Sequence, residues 1–484
     1  MDQCLRAIAK ESNFLSSPMS LRAGLALLAA GTNGATLRQL LTFLGSEDAH
    51  HLAVATARLL ADVNTWPQLS FAASVFVDRT LHLTPEFGSA ATSVHQAVTR
   101  SADFKNHPEA AMPLGLDLRP DRGRPTLMRY IERGGGHGST HEVELSTLPT
   151  YTQTLDRSRG STTSSIAVPG QSRPTAQGYG NRYSDPSPTN LPWHQLSHPT
   201  PLLIQQAIAE VNRFIAQATA WRLTNVLTRD MVGPTTKLVL ANGLHFKATW
   251  ARKFEPSDTV RRHFFGHDDG SRPVRVPFLS AAGMQYAERF DAIGHGFKVL
   301  QRFYKMVGRD GKLDLGSPCF CMLVFLPYDR RDGLARLLRM AVAQPDFVMR
   351  CAPRREQLVS PCMVPKFRFF SRLEAVSALC QLGLTEPFDK GVADLSRMVS
   401  NVPPEGLYVS TVTQTCAVEV DEGGTTAVAA MYAASSPTYS LKERLPRPPP
   451  MSFVADHPFM FAIVEYERAE VLFHGHVMDP SKED

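Results

Sequence analysis

The chain of 484 residues has 43% hydrophobic residues, 20% charged residues and a formal net charge of +5 at pH 7. This hydrophobic share supports a sizeable core, and so weak and dispersed a charge argues against a nucleic-acid partner. The seven cysteines are odd in number and lack the spacing of a disulfide scaffold or a zinc site.

The N-terminus lacks the basic-then-apolar pattern of a signal peptide. No apolar run approaches the ~20 residues that a membrane-spanning helix needs, and no Asn-X-Ser/Thr sequence occurs. We therefore expect a cytoplasmic or nucleocytoplasmic protein that does not associate with membranes, and an extracellular location stays open.

Apolar periodicity predicts two helices near the N-terminus, over residues 17–29 and 36–44, with Ser17 as the cap of the first. Residues 71–77 have the composition of a strand. A longer helix is predicted over residues 203–227, where apolar side chains recur at helical spacing.

The second half of the chain is rich in apolar runs of strand length. They cover residues 237–241, 319–326, 367–370 and 459–464. Helices that precede many strands indicate the α+β class with large mixed or antiparallel sheets.

Residues 112–200 interrupt this pattern with runs of Gly, Ser, Thr and Pro. Such a composition cannot bury enough apolar area to offset its chain entropy. We therefore assign residues 1–111 and 201–484 to one domain and interpret residues 112–200 as a low-complexity, disordered insertion. Whether this insertion is present in the cellular protein stays open.

The most informative segment is residues 418–430. An apolar strand, the turn 422–424 and a run of Thr and Ala follow one another directly. Side chains alternate faces along a strand, so one face would carry Thr425, Ala427, Ala429 and Met431, of which three are small. A strand that slides between two existing strands needs such small residues, so the segment can leave a sheet, reverse and return as an added strand.

Known catalytic patterns do not occur in the sequence. There is no Gly-X-Ser-X-Gly elbow, no His-Glu-X-X-His and no Gly-rich phosphate loop after a strand. His474 and His476 would share one strand face and could hold a metal, but a partly exposed terminal strand explains them more simply. We predict that the protein is not an enzyme and needs no metal or cofactor.

Several motifs resemble, in the expected order, those of the serpin family of serine protease inhibitors, with plant serpins closest. They cover residues 13–20, 238–250, 364–367, 453–459 and 471–477. The resemblance extends over nearly everything except the insertion and the first dozen residues. It implies the serpin fold, in which helices surround large mixed β-sheets and a reactive loop is exposed.

The resemblance implies a serine-type endopeptidase inhibitor that acts as a suicide substrate. In serpins a protease attacks the reactive loop and forms a covalent acyl-enzyme with it. The cut loop then inserts into the main sheet and carries the attached protease with it. The partner would be a trypsin-like serine protease or a cysteine protease that prefers basic residues, and the protein would be a monomer. The alternative is a non-inhibitory serpin, a binding protein or a decayed paralogue, whose loop is cut without trapping the protease.

The resemblance also assigns individual residues. The hinge of the loop would comprise Glu422, Gly423, Gly424, Thr425, Thr426, Ala427, Val428, Ala429 and Ala430. The region where the sheet opens would comprise an ion pair of Lys366 with Glu422, Trp250 beside it, and a polar cluster of Asn242, Ser17, Ser20 and Gln414. Gln414 stands where plant serpins usually carry His, and Met431 where a small residue is usual. Both departures favour the non-inhibitory alternative.

The scissile bond depends on how the loop is counted. Counting forward from Glu422 at the family's spacing gives Thr438–Tyr439, whereas counting back from Phe453 gives Lys442–Glu443 or Arg444–Leu445. We prefer Lys442–Glu443, because the preceding Leu and this Lys resemble the Leu-Arg of plant serpins. The loop is therefore longer than usual, and slack in the loop gives a protease time to deacylate.

Overall fold

Two β-sheets and the helices around them make up the part of the chain that the computed structural model describes, which is residues 12–104, 201–233, 235–266, 272–291, 296–308, 310–344, 346–425 and 449–482. The predicted insertion, hinge residues Thr426 to Ala430 and all candidate scissile bonds between 438 and 445 lie outside these residues. The described residues belong to one compact unit of the chain, formed by segments Met1–Ala111 and His198–Asp484.

The helices include both that were predicted near the N-terminus. The first begins at Pro18 because the Ser17 hydroxyl caps it by accepting a hydrogen bond from Ser20 N at 3.1 Å. Within the described ranges no helix is long and apolar enough to cross a membrane. The helices are α1 Pro18–Ala30, α2 Gly34–Leu44, α3 Ala49–Val63, α4 Pro85–Ser93, α5 Pro201–Ala218, α6 Gly333–Ala343, α7 Phe347–Arg350 and α8 Val376–Gln381.

The strands confirm each predicted strand, with shifted bounds. They are β1 Phe14–Ser16, β2 Leu69–Asp78, β3 Val98–Ala102, β4 Leu238–Phe246, β5 Ala248–Thr249, β6 Val260–Phe264, β7 Val274–Phe290, β8 Phe297–Phe303, β9 Phe320–Pro327, β10 Glu356–Pro365, β11 Phe367–Glu374, β12 Thr411–Val420, β13 Gly424–Thr425, β14 Met451–Val454, β15 Phe459–Glu465 and β16 Glu470–Val477.

The strands form two sheets. In the described residues the first sheet has the order β1-β16-β15-β9-β8-β7-β10-β14, with β6 beside β7. The second, which we call the main sheet, has the order β3-β2-β4-β12-β13-β5, with β11 beside β12. Such mixed sheets with surrounding helices confirm the α+β class.

The largest apolar cluster contains residues of both sheets and joins them. Phe246 of β4 contacts Phe320 of β9 with ring centroids 5.4 Å apart, and Phe367 of β11 contacts Phe461 of β15 at 5.3 Å. Every residue of β9 is buried, which explains its uninterrupted apolar sequence. The main sheet is thereby fixed along the face that packs on the first sheet.

The predicted helix over 203–227 is wrong beyond Ala218, where α5 ends. Ala220 and Trp221 adopt positive φ angles of 49° and 61°, which no α-helix contains. The chain turns there so that Leu223 and Val226 reach the apolar cluster under β2 and β4. The apolar spacing thus reflects burial in a loop, which helical periodicity cannot distinguish from a continuing helix.

Candidate functional site

The hinge begins with a tight turn after strand β12. The Asp421 carboxylate accepts hydrogen bonds from the backbone N–H groups of Gly423 and Gly424 at 2.8 and 2.9 Å, and Asp421 N donates to Gly424 O at 2.9 Å. These bonds reverse the chain within four residues. The turn predicted over 422–424 therefore exists and has Asp421 as its organiser.

Gly424 is required by close packing against β5. It has a φ of +153°, and an added Cβ would lie 2.1 Å from Ala248 O and 2.6 Å from Thr249 Cα. Backbone atoms cannot give way as a flexible side chain can, so any other residue would push the hinge away from the sheet.

Thr425 already belongs to the main sheet. Its backbone pairs with Val420 of β12 on one side and with Ala248 of β5 on the other. Its side chain is fully buried, and its hydroxyl lies 2.8 Å from the Tyr304 hydroxyl. Burial raises the pKa of Tyr304 above its ordinary value, although the bond to Thr425 opposes this, so the phenol stays protonated and available as a donor.

Trp250 holds the turn 421–425 from the interior of the protein. It is 1% exposed, its indole N–H donates to Asp421 O at 2.9 Å, and its backbone N–H donates to Gly423 O at 2.9 Å. Its ring stacks on Tyr304 at a centroid distance of 4.4 Å. One aromatic pair therefore holds both ends of the turn 421–425.

The predicted ion pair is present at the same place. Lys366 Nζ lies 2.5 Å from Glu422 Oε1, and the Thr259 hydroxyl donates to the same oxygen at 2.7 Å. Partial burial opposes ionisation of Glu422, but the hydrogen bonds from Lys366 and Thr259 outweigh it and hold the pKa of this carboxyl below its ordinary value. We call residues 421–425 with Trp250, Tyr304, Thr259 and Lys366 the hinge network.

The predicted polar cluster lies further down the same sheet. Gln414 of β12 and Asn242 of β4 are directly paired in register. Gln414 Oε1 accepts from Ser16 Oγ at 2.9 Å and from Ser17 N at 3.0 Å, and Gln414 Nε2 donates to Ser17 O at 2.7 Å. Gln414 thus ties β12 to the start of α1.

Asn242 ties β4 to the same helix through a hydrogen bond from its Nδ2 to Ser20 O at 3.2 Å. Ser20 and Asn242 are fully buried, yet Ser20 Oγ and Asn242 Oδ1 have no hydrogen-bond partner within the described residues. Asn242 reaches the helix only because Gly24 has no side chain, since an added Cβ would lie 2.1 Å from Asn242 Nδ2. We call Ser16, Ser17, Ser20, Asn242 and Gln414 the central cluster.

Sequence reasoning missed several residues of both sites. Asp421, Tyr304 and Thr259 were not assigned to the hinge, and Gly24 and Ser16 were not assigned to the central cluster. A glycine inside an apolar helix is a signal of close packing, and Gly24 could have been found in this way. Tyr304 carries no such signal, because its partner lies 121 residues away.

The two sites border the junction of β4 and β12, which are parallel and directly paired from Thr411 with Val239 to Ala417 with His245. β13 runs antiparallel to β12 and to β5 above this junction. A strand that continued from β13 would be antiparallel to both β4 and β12 and could pair with each. The fold and the hinge therefore define a class of proteins in which a loop can join the main sheet as an added strand.

Comparisons with known proteins agree with this class. The model of the family described as serpin (serine protease inhibitor) matches residues 3–114 and 203–480. The solved structure of Arabidopsis AtSerpin1 in its native stressed conformation is similar with a TM-score of 0.68 and 25% identity, over 99% of this chain and 95% of that one. The chain therefore belongs to the serpin family, whose members are generally protease inhibitors and not enzymes.

Curated plant relatives resemble the chain over nearly its whole length. A protein of Oryza sativa subsp. japonica named "Putative non-inhibitory serpin-10" is 51% identical over all of both chains. Another from the same organism, "Putative non-inhibitory serpin-Z11", is 46% identical, also over all of both chains. Serpin-Z1B of Triticum aestivum is 30% identical over 97% of this chain and 90% of its own.

Proposed function

We propose that this protein is a non-inhibitory serpin, a binding or structural member of the family whose loop proteases cut without being trapped. The observation that carries this proposal is the similarity to the two rice proteins named as non-inhibitory, at 51% and 46% identity over all of both chains. Serpin-Z1B of wheat, whose name does not include "non-inhibitory", is only 30% identical.

The central cluster supports the same proposal. A further strand between β4 and β12 must widen their separation by about 4.8 Å. Gln414 and Asn242 tie these two strands to one helix, so widening breaks bonds on at least one side. Each buried hydrogen bond contributes about 1 kcal/mol, and a buried group left unpaired costs about 1 to 3 kcal/mol. Opening is thereby slowed, and a protease gains time to deacylate.

The sequence of the loop adds to this argument. Its two counts place the scissile bond at Thr438 or at Lys442, so the loop carries slack relative to the family's spacing. Met431 falls on the face that insertion would bury. The extra length of the loop and the large side chain of Met431 would both delay the insertion on which trapping of the protease depends.

Inhibition remains the second candidate, because one observation favours it. Thr425 is already paired between β5 and β12 with its side chain buried. Insertion would only need to continue this antiparallel pairing from Thr425 into the space between β4 and β12. The target would then be a trypsin-like serine protease or a cysteine protease that prefers basic residues, engaged by a monomer at Lys442–Glu443.

Incubation with trypsin at near-equal molar amounts separates the two candidates. Denaturing gel electrophoresis reports a covalent complex, N-terminal sequencing of the C-terminal fragment reports the cut bond, and thermal melting reports insertion. We expect a fragment beginning at Glu443, no covalent complex and an unchanged melting temperature. A complex that survives denaturation, together with a sharply raised melting temperature after cleavage, would establish inhibition instead.

Ala427→Arg is the matched variant for this experiment, because Thr425 is already paired and buried in the main sheet before insertion. Ala427 falls on the face that insertion would bury, and an unpaired charge buried at position 427 costs several kcal/mol. If the unmodified protein traps trypsin, this variant must lose the complex while its loop is still cut. If neither protein forms a complex and both are cut at the same bond, the non-inhibitory proposal stands.

A further inference from the structure

Arg302 of strand β8 is a buried cation with no acidic partner in the part of the chain that the structure describes. It is 6% exposed, and no carboxylate of the described residues forms an ion pair with it. Burial is the main cause that lowers its pKa below the ordinary value for arginine. A buried charge without a counter-charge is costly, so proteins normally pair it or use it to bind something.

The protein itself satisfies only part of the guanidinium. Arg302 Nη1 donates to Gln285 Oε1 at 2.9 Å, and Nη2 donates to the backbone oxygen of Arg252. One face of the guanidinium covers the Phe254 ring at 4.1 Å from its centroid. These two hydrogen bonds engage two of the five N–H donors that an arginine carries, so donors remain for a ligand.

The side chain borders an open recess of about 210 Å³. The lining includes Arg252, Gln285, Gln301 and Glu356 as well as Arg302. Arg252 Nη2 lies 2.9 Å from Glu356 Oε1, so one of the two arginines is neutralised and the recess keeps a net positive charge. Since a water molecule takes up about 30 Å³, the recess has room for several atoms of a ligand.

We propose that this recess binds a small oxyanion, of the phosphate or carboxylate type, through the guanidinium of Arg302. Arginine presents parallel N–H groups that match two oxygens of one such anion, and a charge-assisted pair of this kind is about twice as strong as a neutral hydrogen bond. The side-chain N–H groups of Gln285, whose Oε1 accepts from Arg302, supply further donors. The anion would provide the counter-charge that the described residues do not.

The recess adjoins the hinge network through Arg302 and Trp250. Arg302 also lies 5.8 Å from the centroid of the Trp250 ring, which stacks on Tyr304 and holds the turn at Asp421. A ligand that repositions the guanidinium would therefore alter the surroundings of Trp250. This gives the site a spectroscopic reporter, because a tryptophan's fluorescence depends on nearby charge.

The test is a titration of the full chain with inorganic phosphate and, separately, with sodium acetate, at constant ionic strength. Phosphorus NMR line broadening reports phosphate binding, and tryptophan fluorescence reports both ligands. We expect saturable binding of at least one anion, and its loss by tenfold or more in Arg302→Gln. Arg339→Gln changes an exposed arginine on α6 and should bind like the unmodified protein.

Glu356→Gln should change the anion affinity in the opposite direction. It removes the only carboxylate among the lining residues and frees Arg252 from its ion pair, so anion affinity should rise severalfold. This variant also serves if Arg302→Gln fails to fold. Absence of saturable binding by the unmodified protein would overturn the proposal. Equal binding by all variants would also overturn it, because it would show that the anion binds elsewhere. These outcomes are independent of whether the serpin traps a protease.

Discussion

The hinge network and the central cluster lie on the same main sheet but are built differently. In the hinge network, Glu422, Thr425 and Trp250 each have defined hydrogen-bond partners, and stacked rings back the turn. In the central cluster, Ser20 Oγ and Asn242 Oδ1 are buried without a partner among the described residues. Both sites hold the main sheet closed, but the hydrogen bonding of the central cluster is incomplete, whereas that of the hinge network is not.

This difference has a consequence for how the sheet opens. A fully satisfied network at the hinge holds Thr425 in place and resists both withdrawal and sliding. Unsatisfied buried groups at the centre make the closed state locally costly, although Gln414 compensates with its three hydrogen bonds. We expect stability changes at the hinge to depend first on ring packing and second on hydrogen bonds, and those at the centre to depend on the steric fit of Gly24 against Asn242.

The largest effect is expected for Trp250→Ala in the hinge network. Removing a buried aromatic side chain costs about 3 to 5 kcal/mol, and the stack on Tyr304 is lost with it. Urea unfolding measures the change. Trp250→Phe is the control, because it keeps a ring and loses the indole bond to Asp421 O, so it should cost less. Equal losses for both variants would show that the hydrogen bond, and not packing, holds the turn.

At the centre, Gly24→Ala should destabilise the protein by about 1 to 3 kcal/mol, the usual cost of overpacking a core. The new Cβ would lie 2.1 Å from Asn242 Nδ2 and force the amide away from α1. Gly88→Ala in α4 is a matched control, since nothing lies within 4 Å of its added Cβ. That variant should gain up to about 1 kcal/mol from helix propensity. A Gly24→Ala protein as stable as the unmodified one would show that the centre yields easily.

Tyr304→Phe and Thr425→Val each leave one buried hydroxyl without its partner, and each should cost about 1 kcal/mol or more. The double variant should cost less than the sum of the two, because no orphaned hydroxyl remains. A double-mutant cycle by urea unfolding measures this coupling. Strictly additive losses would mean that the contact between the two hydroxyls contributes nothing to the hinge.

The smallest effect is expected for the ion pair of Lys366 with Glu422. Their side chains are 32% and 17% exposed, so a cycle of Lys366→Met and Glu422→Gln should show a coupling below about 1 kcal/mol at neutral pH. The folded-state pKa of Glu422 is lowered. Its contribution is therefore present above the carboxyl's unfolded pKa and is lost as pH falls through the folded value. The cycle repeated at acid pH should show no coupling, and a coupling that persists there would exclude the carboxylate as its source.

Much of the fold could be predicted because its signals are local. The Ser17 cap, the glycine turn and the uninterrupted apolar strands each depend on a few neighbouring residues, and the ordered motifs made the serpin resemblance specific. The pair of Lys366 with Glu422 was predicted from that resemblance, and the structure brings the two side chains together. The roles of these residues in sheet opening, and the scissile bond at Lys442, stay predictions.

Other features were decided by tertiary structure alone. The end of α5 at Ala218 was invisible to periodicity, because buried loop residues continue the apolar spacing. The Tyr304–Thr425 contact and the burial of Arg302 depend on how distant strands meet. A sequence records which side chains alternate along a strand, but the register between strands more than 100 residues apart fixes which of them face each other. For that reason the sequence by itself determined the fold class and the turn over 422–424, and only the packed sheets determined what holds that turn and which buried cation has no acidic partner among the described residues.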